Sequence, residues 1–249
     1  MHRFFADENG IVNGTACLNI EDSQHALRVL RLGSGDEIEL VCAPGRFLAQ
    51  ITGETDGLVQ VQVREELRRT EARTQVTLYQ GLPKADKMEM IAQKTTELGV
   101  HAIQPVAMER CVVKLEGKDA GKKVERWQKI AREAVKQCAR VTVPEVLPPK
   151  KLTQLEEELK QLDVLIVPWE DARDGSIRQA LAPFEGREAL RVGILIGPEG
   201  GIDEAEVEMA MKEKVEPITL GKRILRTETA GMTVLSILVY LLEGRERTR

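Results

Sequence analysis

Cysteine and histidine are scarce in this 249-residue chain. The four cysteines include no CxxC pair, and the three histidines share no ligand spacing. The residues concerned are Cys17, Cys42, Cys111 and Cys138 together with His2, His25 and His101. This distribution argues against a disulfide framework and predicts no metal site, so we interpret the cysteines as free thiols in a reducing cytoplasm.

Long apolar runs are missing as well. The longest, Met232 to Leu242, is too short to span a bilayer and is interrupted by Thr233 and Ser236. No charged-then-apolar leader follows Met1, so the sequence predicts neither membrane association nor secretion. With 42% hydrophobic and 31% charged residues, the composition is typical of a folded globular protein.

Common nucleotide-binding and hydrolase motifs are also absent. Gly221-Lys222 is not part of a phosphate loop, because Glu216 and Arg223 stand where that motif needs a glycine and a Ser or Thr. No GxGxxG follows the first strand of the α/β part, and the chain has no GxSxG. These absences argue against an ordinary Rossmann enzyme and against an α/β-hydrolase.

The formal charge of −4 argues against bulk electrostatic binding to nucleic acid, but the charge is unevenly distributed. The balance is −4 over residues 1–73, +6 over 84–151 and −6 over 152–249. On a predicted helix over 122–139, four cations lie opposite an apolar stripe: Lys129, Arg132, Lys136 and Arg140. This face either tracks a polyanion or is a solvated surface with internal ion pairs, and the residues alone leave both open.

The first seventy residues have the pattern of a small β-rich unit with a short helix over roughly Asp22 to Leu30. The charged stretch Arg64 to Arg73 is predicted to be a linker, with continuation of a strand as the alternative. Strands and helices then alternate. Predicted strands cover Val76–Gln80, Ala102–Ala107, Val164–Val167, Arg191–Ile196 and Pro217–Leu220. This alternation predicts an α/β fold whose parallel sheet carries helices on both faces. Ligands of such sheets bind beyond the carboxyl ends of strands, which directs attention to the segments after Ile196 and Leu220.

Two loops at this edge carry the candidate chemistry. Between Ile194 and Asp203, three glycines permit close approach of a ligand around a single charge, Glu199. Between Leu220 and Ala230, a loop rich in hydrogen-bonding side chains precedes an apolar helix. A plain strand-to-helix turn remains an alternative for the first loop, whereas the second suits a polar ligand better than a connection.

Taken together, these segments resemble the ribosomal RNA small subunit methyltransferase E family of SPOUT enzymes. The resemblance is carried by Gly197-Pro-Glu-Gly-Gly201, Leu220-Gly221, Ile224–Ala230, Lys94–Gly99 and, at the N-terminus, Arg3-Phe4-Phe5. It implies a SPOUT-type parallel sheet with a C-terminal trefoil knot over residues 73–249. It further implies a small PUA-like β-barrel that binds RNA over residues 1–72, and assembly as a homodimer.

The same resemblance implies a function. The enzyme would methylate N3 of a uridine in 16S rRNA of the small ribosomal subunit, with S-adenosylmethionine as methyl donor, in the cytoplasm and without a metal. A SPOUT enzyme acting on another RNA and a non-catalytic ribosome-binding module remain the alternatives. Intact donor loops disfavour the second of these.

Residue roles follow from the resemblance. Arg226 would stabilise the uracil anion. Glu199 would interact with the cationic donor, take the N3 proton or brace its loop. The residues expected to bind the donor are Pro168, Ile196, Gly197, Gly200, Leu220, Gly221, Ile224, Leu225, Thr227, Thr229 and Ala230. The residues expected to contact RNA are Arg3, Arg28, Arg31, Lys87, Lys94, Arg132 and Arg140.

Overall fold

The structure is a computed structural model that describes residues 1–7, 9–42, 45–67, 73–115, 117–138, 140–211 and 215–243. The chain forms two compact units. The first comprises Met1–Glu71 together with the short segment Ala139–Thr142, and the second comprises Ala72–Cys138 and Val143–Arg249.

The first unit is built on a sheet that, within the described residues, has five strands. They are β1 (His2–Phe5), β2 (Thr15–Cys17), β3 (Glu37–Cys42), β4 (Gly45–Thr55) and β5 (Leu58–Leu67), in the spatial order β1-β3-β4-β5-β2. β1 runs parallel to β3 and the other pairs are antiparallel. Just beyond the two edge strands, Ala6 bridges Leu18 and the Asp7 N–H donates to the Cys17 carbonyl at 2.8 Å, so the edges meet. The enclosed core includes Phe4, Ile38 and Leu40.

Two predictions for this unit were wrong in their bounds. The helix begins at Ile20 rather than Asp22, because the Asn19 side chain caps it by accepting from the Asp22 N–H at 2.8 Å. This α1 (Ile20–Gln24) continues as a π-helix over His25–Val29. The predicted linker Arg64 to Arg73 also begins too early: as the alternative held, a strand continues into this stretch, since β5 pairs with β4 as far as Leu67. Residues 68–72 lie outside the described residues.

The second unit confirms the α/β prediction. Its described strands are β6 (Gln75–Gly81), β7 (Ala102–Ala107), β8 (Glu145–Val146), β9 (Lys150–Lys151), β10 (Val164–Pro168), β11 (Arg191–Ile196) and β12 (Val215–Ile218). Every pairing among them is parallel. The spatial order is β12-β10-β11-β6-β7-β8, and β9 also pairs with β7. The described helices are α2 (Lys87–Glu97), α3 (Gly117–Cys138), α4 (Glu156–Lys160), α5 (Ile177–Leu181), α6 (Glu204–Met211) and α7 (Thr227–Glu243), with short 3₁₀ turns at Leu152–Gln154 and Ala182–Phe184.

Helices cover both faces of this sheet, as predicted. Successive strand side chains point to opposite faces, so a strand buried on both sides must be apolar throughout. In β10, Val164 and Ile166 join the core beneath α2 and α7, while Leu165 and Val167 join a second core with Leu159 of α4. Because the strands are parallel, the loops that follow them all leave from the carboxyl edge of the sheet. No described helix is long and apolar enough to cross a membrane.

Candidate active site

A cavity of about 770 Å³ lies at the carboxyl edge of the parallel sheet. It is formed by the ends of β10 and β11 and by the start of α7. Two segments contribute most of its wall: the first cavity loop, residues 197–203 after β11, and the second cavity loop, residues 219–226 between β12 and α7. Its volume falls within the range that small-molecule sites occupy.

Tight packing shapes the first cavity loop. A Cβ on Gly197 would lie 2.8 Å from Cγ1 of Ile202 and 2.9 Å from the Gly201 carbonyl carbon. Real side chains do not tolerate such distances, so only glycine fits here. The loop consequently folds back on itself directly above β11, with Gly197, Gly201 and the buried Ile202 all in the cavity wall.

A buried chain of hydrogen bonds joins the two loops beneath the cavity. The Thr227 hydroxyl donates to the Gly197 carbonyl at 2.6 Å and accepts from Nε2 of Gln80 at 2.8 Å. Since a hydroxyl has one proton, the direction of the chain is fixed. Gln80 is fully buried at the end of β6, and its Nε2 also donates to the Gly81 carbonyl at 3.0 Å. This chain holds the start of α7 against the first cavity loop.

An ionic cluster braces the same loop from the other side. Lys87, at the start of α2, places its Nζ 2.9 Å from Oε1 of Glu199 and 3.3 Å from Oε2 of Glu228. Glu199 also accepts from the Lys84 backbone N–H at 3.1 Å. Burial raises the pKa of Glu199, but the hydrogen bonds from Lys87 and the backbone outweigh it, so the pKa lies below its ordinary value. The hydrogen bond to Glu199 correspondingly raises the pKa of Lys87.

Arg110 provides a further brace. Its guanidinium donates to the Gly200 carbonyl and to Oδ2 of Asp203, both at 3.2 Å. The neighbouring Glu109 N–H donates to Oε1 of Glu206 at 3.0 Å. The segment after β7 therefore lies against the first cavity loop and the start of α6.

The second cavity loop is arranged differently. Lys222, Arg223 and Arg226 are exposed, and their side chains make no hydrogen bond or ion pair with any residue that the structure describes. The Gly221 N–H donates to Oγ1 of Thr219 at 3.2 Å, which fixes the turn ahead of the cations. Arg226 immediately precedes α7 and lines the cavity.

Most of the predicted donor residues meet at this cavity. Those in its lining are Pro168, Ile196, Gly197, Leu220, Gly221, Ile224, Leu225, Thr227 and Ala230, joined by Glu199 and Arg226. Gly200 and Thr229 lie outside the lining. Gly200 is turned toward Arg110, and Thr229 is exposed on α7 with its carbonyl accepting from the Thr233 hydroxyl at 2.8 Å.

The predicted RNA contacts fall into two groups. Arg28, Arg31 and Arg132 are exposed. The other four make contacts within the protein or are buried. Arg3 forms a bidentate ion pair with the buried Glu39, at 2.8 and 2.9 Å, and Lys94 pairs with Glu97 at 2.8 Å. Lys87 belongs to the ionic cluster, and Arg140 is only 7% exposed.

Two residues of the site were not predicted from the sequence: Gln80 and Arg110. Gln80 carried a usable signal, since it is a polar residue closing an apolar strand at the edge where ligands bind. Arg110 carried none, because its partners are fixed only by the fold. Glu228 belongs to the polar segment between Leu220 and Ala230, but its pairing with Lys87 was not predicted. Within the described residues, no group of three or more His, Cys, Asp or Glu side chains is arranged to hold a metal ion.

The chain is similar in sequence and in structure to several known proteins. Residues 70–239 match the family described as an RNA methyltransferase domain. A ribosomal RNA small subunit methyltransferase E from Bacillus subtilis is 37% identical over 90% of this chain and 89% of its own length. One from Synechocystis is 30% identical over 98% of this chain and 78% of its own. The crystal structure of a Neisseria gonorrhoeae ribosomal RNA small subunit methyltransferase E, bound to S-adenosyl methionine, superimposes with a TM-score of 0.74 at 34% identity, covering 97% of this chain and 98% of that one.

Proposed function

The chain belongs to the ribosomal RNA small subunit methyltransferase E family, and from this premise we propose that it transfers a methyl group from S-adenosylmethionine to N3 of a uridine in 16S rRNA. The observation that carries the proposal is the meeting of the two cavity loops. Both contain the residues of the family resemblance, and they enclose one cavity although they are separate in sequence.

The residues present fit the methyl donor. Ile196, Leu225 and Ala230 supply an apolar wall for the adenine, and Gly197 lets the backbone approach closely. Backbone groups of Gly197, Leu220 and Leu225, which are all in the lining, would hold the edge of the ring. The hydrogen bond from Thr227 fixes the Gly197 carbonyl, so this wall is organised before any ligand arrives.

When bound, S-adenosylmethionine supplies a methyl group on a positively charged sulfur. Uracil N3 carries a proton and must lose it for the nitrogen to attack, which leaves negative charge on O2 and O4. Arg226 lines the cavity with a guanidinium that has no partner among the described residues, and this group stabilises that charge. Glu199 keeps a low pKa and is therefore a weak proton acceptor, which favours its bracing role over the catalytic one.

The trefoil knot is part of the proposal. The chain leaving β12 passes closely against the loop after β10: the Trp169 N–H donates to the Ile218 carbonyl at 3.2 Å, and the Thr219 N–H to the Gly175 carbonyl at 3.4 Å. A Cβ on Gly175 would lie 2.4 Å from the Pro217 carbonyl oxygen, so the passage has no spare room. β12 is at one edge of the sheet, yet α7 then packs beside β11, β6 and α2. This tight crossing supports threading of the C-terminal segment through a loop.

The N-terminal unit is proposed to be a PUA-like barrel that binds RNA, with the domain division at 1–72 and 73–249. Its support is the bridge between Ala6 and Leu18, which brings the sheet edges together. Arg28 and Arg31 are the exposed cations of the π-helix and the turn after it, and Arg31 adopts a positive φ of 56°. They are the RNA contacts we favour in this unit.

Assembly as a homodimer is also proposed. One face of α7 is uncovered: Ile237 is 38% exposed and Tyr240 is 78% exposed. Apolar side chains spaced along one exposed helical face suit an isologous contact between two copies of the chain.

The proposed macromolecular partner is the small ribosomal subunit, in the cytoplasm.

Two measurements test the proposed function. Isothermal titration should show S-adenosylmethionine binding to the purified protein, and absence of binding would overturn the donor site. Small ribosomal subunits and naked 16S rRNA, both from a strain lacking the enzyme, should then be incubated with protein and donor. Mass mapping should reveal one N3-methyluridine in at least one of these substrates. Methylation only in another RNA would support the alternative SPOUT function instead.

A further inference from the structure

The second cavity loop concentrates positive charge. Lys222, Arg223 and Arg226 fall within five residues, and no Asp or Glu occurs between Pro217 and Thr227. The Thr219–Gly221 hydrogen bond and the positive φ of Gly221 (97°) form a tight turn just before Lys222. Three like charges held close together repel one another, so this conformation of the loop is unfavourable when no anion is bound.

Two other cations near the cavity are neutralised within the protein. Lys87 lies between Glu199 and Glu228, and Arg110 is paired with Asp203. Glu170 is the other carboxylate of the lining, and it makes no ion pair with the second cavity loop among the described residues. The lining as described holds five cations (Lys87, Arg173, Lys222, Arg223 and Arg226) and two carboxylates, and Glu228, which pairs with Lys87 from outside the lining, brings the formal balance to +2.

The proposed methyl donor cannot account for this charge. S-adenosylmethionine carries a sulfonium, an ammonium and one carboxylate, so its net charge is +1 and it leaves the excess positive charge of the lining uncompensated. Its carboxylate supplies one negative charge against the three positive charges of the loop. The remaining positive charge is therefore suited to a second, anionic ligand, to which all three exposed side chains are accessible.

We propose that Lys222 and Arg223 bind backbone phosphates of the RNA beside the target nucleotide, while Arg226 on the same loop serves the reacting base. This assignment rests on the proposed function. Lys and Arg side chains are the usual phosphate ligands of RNA-binding proteins, and such contacts position the nucleic acid without reading its sequence. Because they lie on the same loop as Arg226, holding the RNA backbone here also positions the uracil base at Arg226.

The test uses Lys222→Gln and Arg223→Gln, singly and together, because glutamine removes the charge and keeps much of the length. Arg178→Gln on α5 is the matched control, an exposed arginine outside the cavity lining. Titration with S-adenosylmethionine should give dissociation constants within about twofold of the unaltered protein for every variant. This also verifies that the variants are folded.

RNA affinity is measured with a 16S rRNA transcript by fluorescence anisotropy over a series of KCl concentrations. Each lost phosphate contact lowers the slope of log K against log salt by about 0.7–0.9, so the double variant should lose about 1.5 and bind about tenfold more weakly at low salt. The Arg178→Gln control should keep the original slope.

Two outcomes would overturn the assignment while leaving the proposed function intact. One is a double variant with the original salt slope in a protein that still methylates 16S rRNA. The other is weakened donor binding with unchanged RNA binding, which would place these cations on the donor carboxylate. If the unaltered protein binds no S-adenosylmethionine, the proposed function fails, and the phosphate assignment fails with it.

Discussion

The two cavity loops differ in how their polar groups are satisfied. In the first, Gly197 accepts from Thr227, Glu199 accepts from Lys87, and Gly200 accepts from Arg110. In the second, three cations have no partner among the described residues. A wall held by such hydrogen bonds is preorganised for a ligand of fixed shape, whereas unpaired charges are available to a ligand that arrives and leaves. We infer that the bonded first loop serves the donor, and that the three cations of the second loop serve the RNA while its apolar residues complete the donor wall.

The strongest test of this contrast is Arg226→Ala. Removing a group that stabilises developing negative charge lowers kcat by about 100- to 1,000-fold. Because the Arg226 side chain serves the reacting base of the RNA, the dissociation constant of S-adenosylmethionine should stay within about twofold. Methyl transfer to 16S rRNA under saturating donor and titration calorimetry measure the two quantities.

Arg226→Lys is the informative companion variant. It keeps the charge but loses the planar fork, so it should recover part of kcat. Wild-type turnover in Arg226→Ala would remove this residue from the mechanism. A large loss of affinity for S-adenosylmethionine would contradict the assignment of the second loop's cations to the RNA.

Thr227→Val should weaken donor binding by about tenfold. The valine has nearly the same shape, but it leaves the Gly197 carbonyl and the Gln80 amide without their buried partner, and each such loss costs about 1–3 kcal/mol. Thr227→Ser retains the hydroxyl and should bind the donor normally. Titration calorimetry on both variants gives the comparison.

A double-mutant cycle with Gln80→Met sharpens this prediction. If the two residues act through one hydrogen-bond chain, the double variant should be little weaker than Thr227→Val alone. Gln80 lies outside the cavity lining, so it acts by positioning Thr227 rather than by touching a ligand. Additive losses would show that the two side chains act independently.

The same contrast explains what the sequence could predict. Strand and helix order in the second unit follows from local apolar patterning, and alternation brings both cavity loops to one edge, so most of the cavity lining was predictable. The bracing contacts were not. Lys87 and Glu199 are 112 residues apart and Gln80 and Thr227 are 147 apart, and no local signal links residues at such distances.

The first unit shows the limit more sharply. A regular helix over Asp22 to Leu30 was the natural prediction, but the chain forms a π-helix from His25, for which the local residues give no warning. Arg3 looked like a surface cation. It is instead fixed by Glu39, which hydrogen bonds from Arg3 and Arg46 keep ionised: burial raises the pKa of Glu39, and these bonds lower it below its ordinary value.

Glu199→Gln should have a moderate effect that depends on pH. The pKa of Glu199 is lowered in the folded protein, so its ionic contacts stabilise the fold above its ordinary pKa of 4.5 and stop doing so as pH falls through the lowered value. At pH 7 the variant should melt about 2 °C lower than the parent, and the difference should shrink progressively as the pH falls below 4.5.

Thermal melts across this pH range measure the effect. Glu188→Gln is the matched control, since Glu188 pairs with Arg73 at 2.6 Å on an exposed surface and should show no such dependence. A kcat for Glu199→Gln that falls more than about 100-fold would restore this residue as the proton acceptor.

Arg110→Ala should have the smallest effect, about a threefold weakening of donor binding. Its two hydrogen bonds to the first cavity loop are both 3.2 Å long and its side chain is 43% exposed, so solvent screens most of the interaction. The hydrogen bond from the Glu109 N–H to Glu206 persists and keeps the segment in place.

Arg187→Ala is the matched control. It breaks a comparably exposed pair with Asp163 outside the cavity lining and should leave donor affinity unchanged. If the two variants bind the donor equally well, Arg110 contributes nothing to the preorganised wall; if Arg110→Ala exceeds the loss in Thr227→Val, bracing from outside the cavity outweighs the buried chain beneath it.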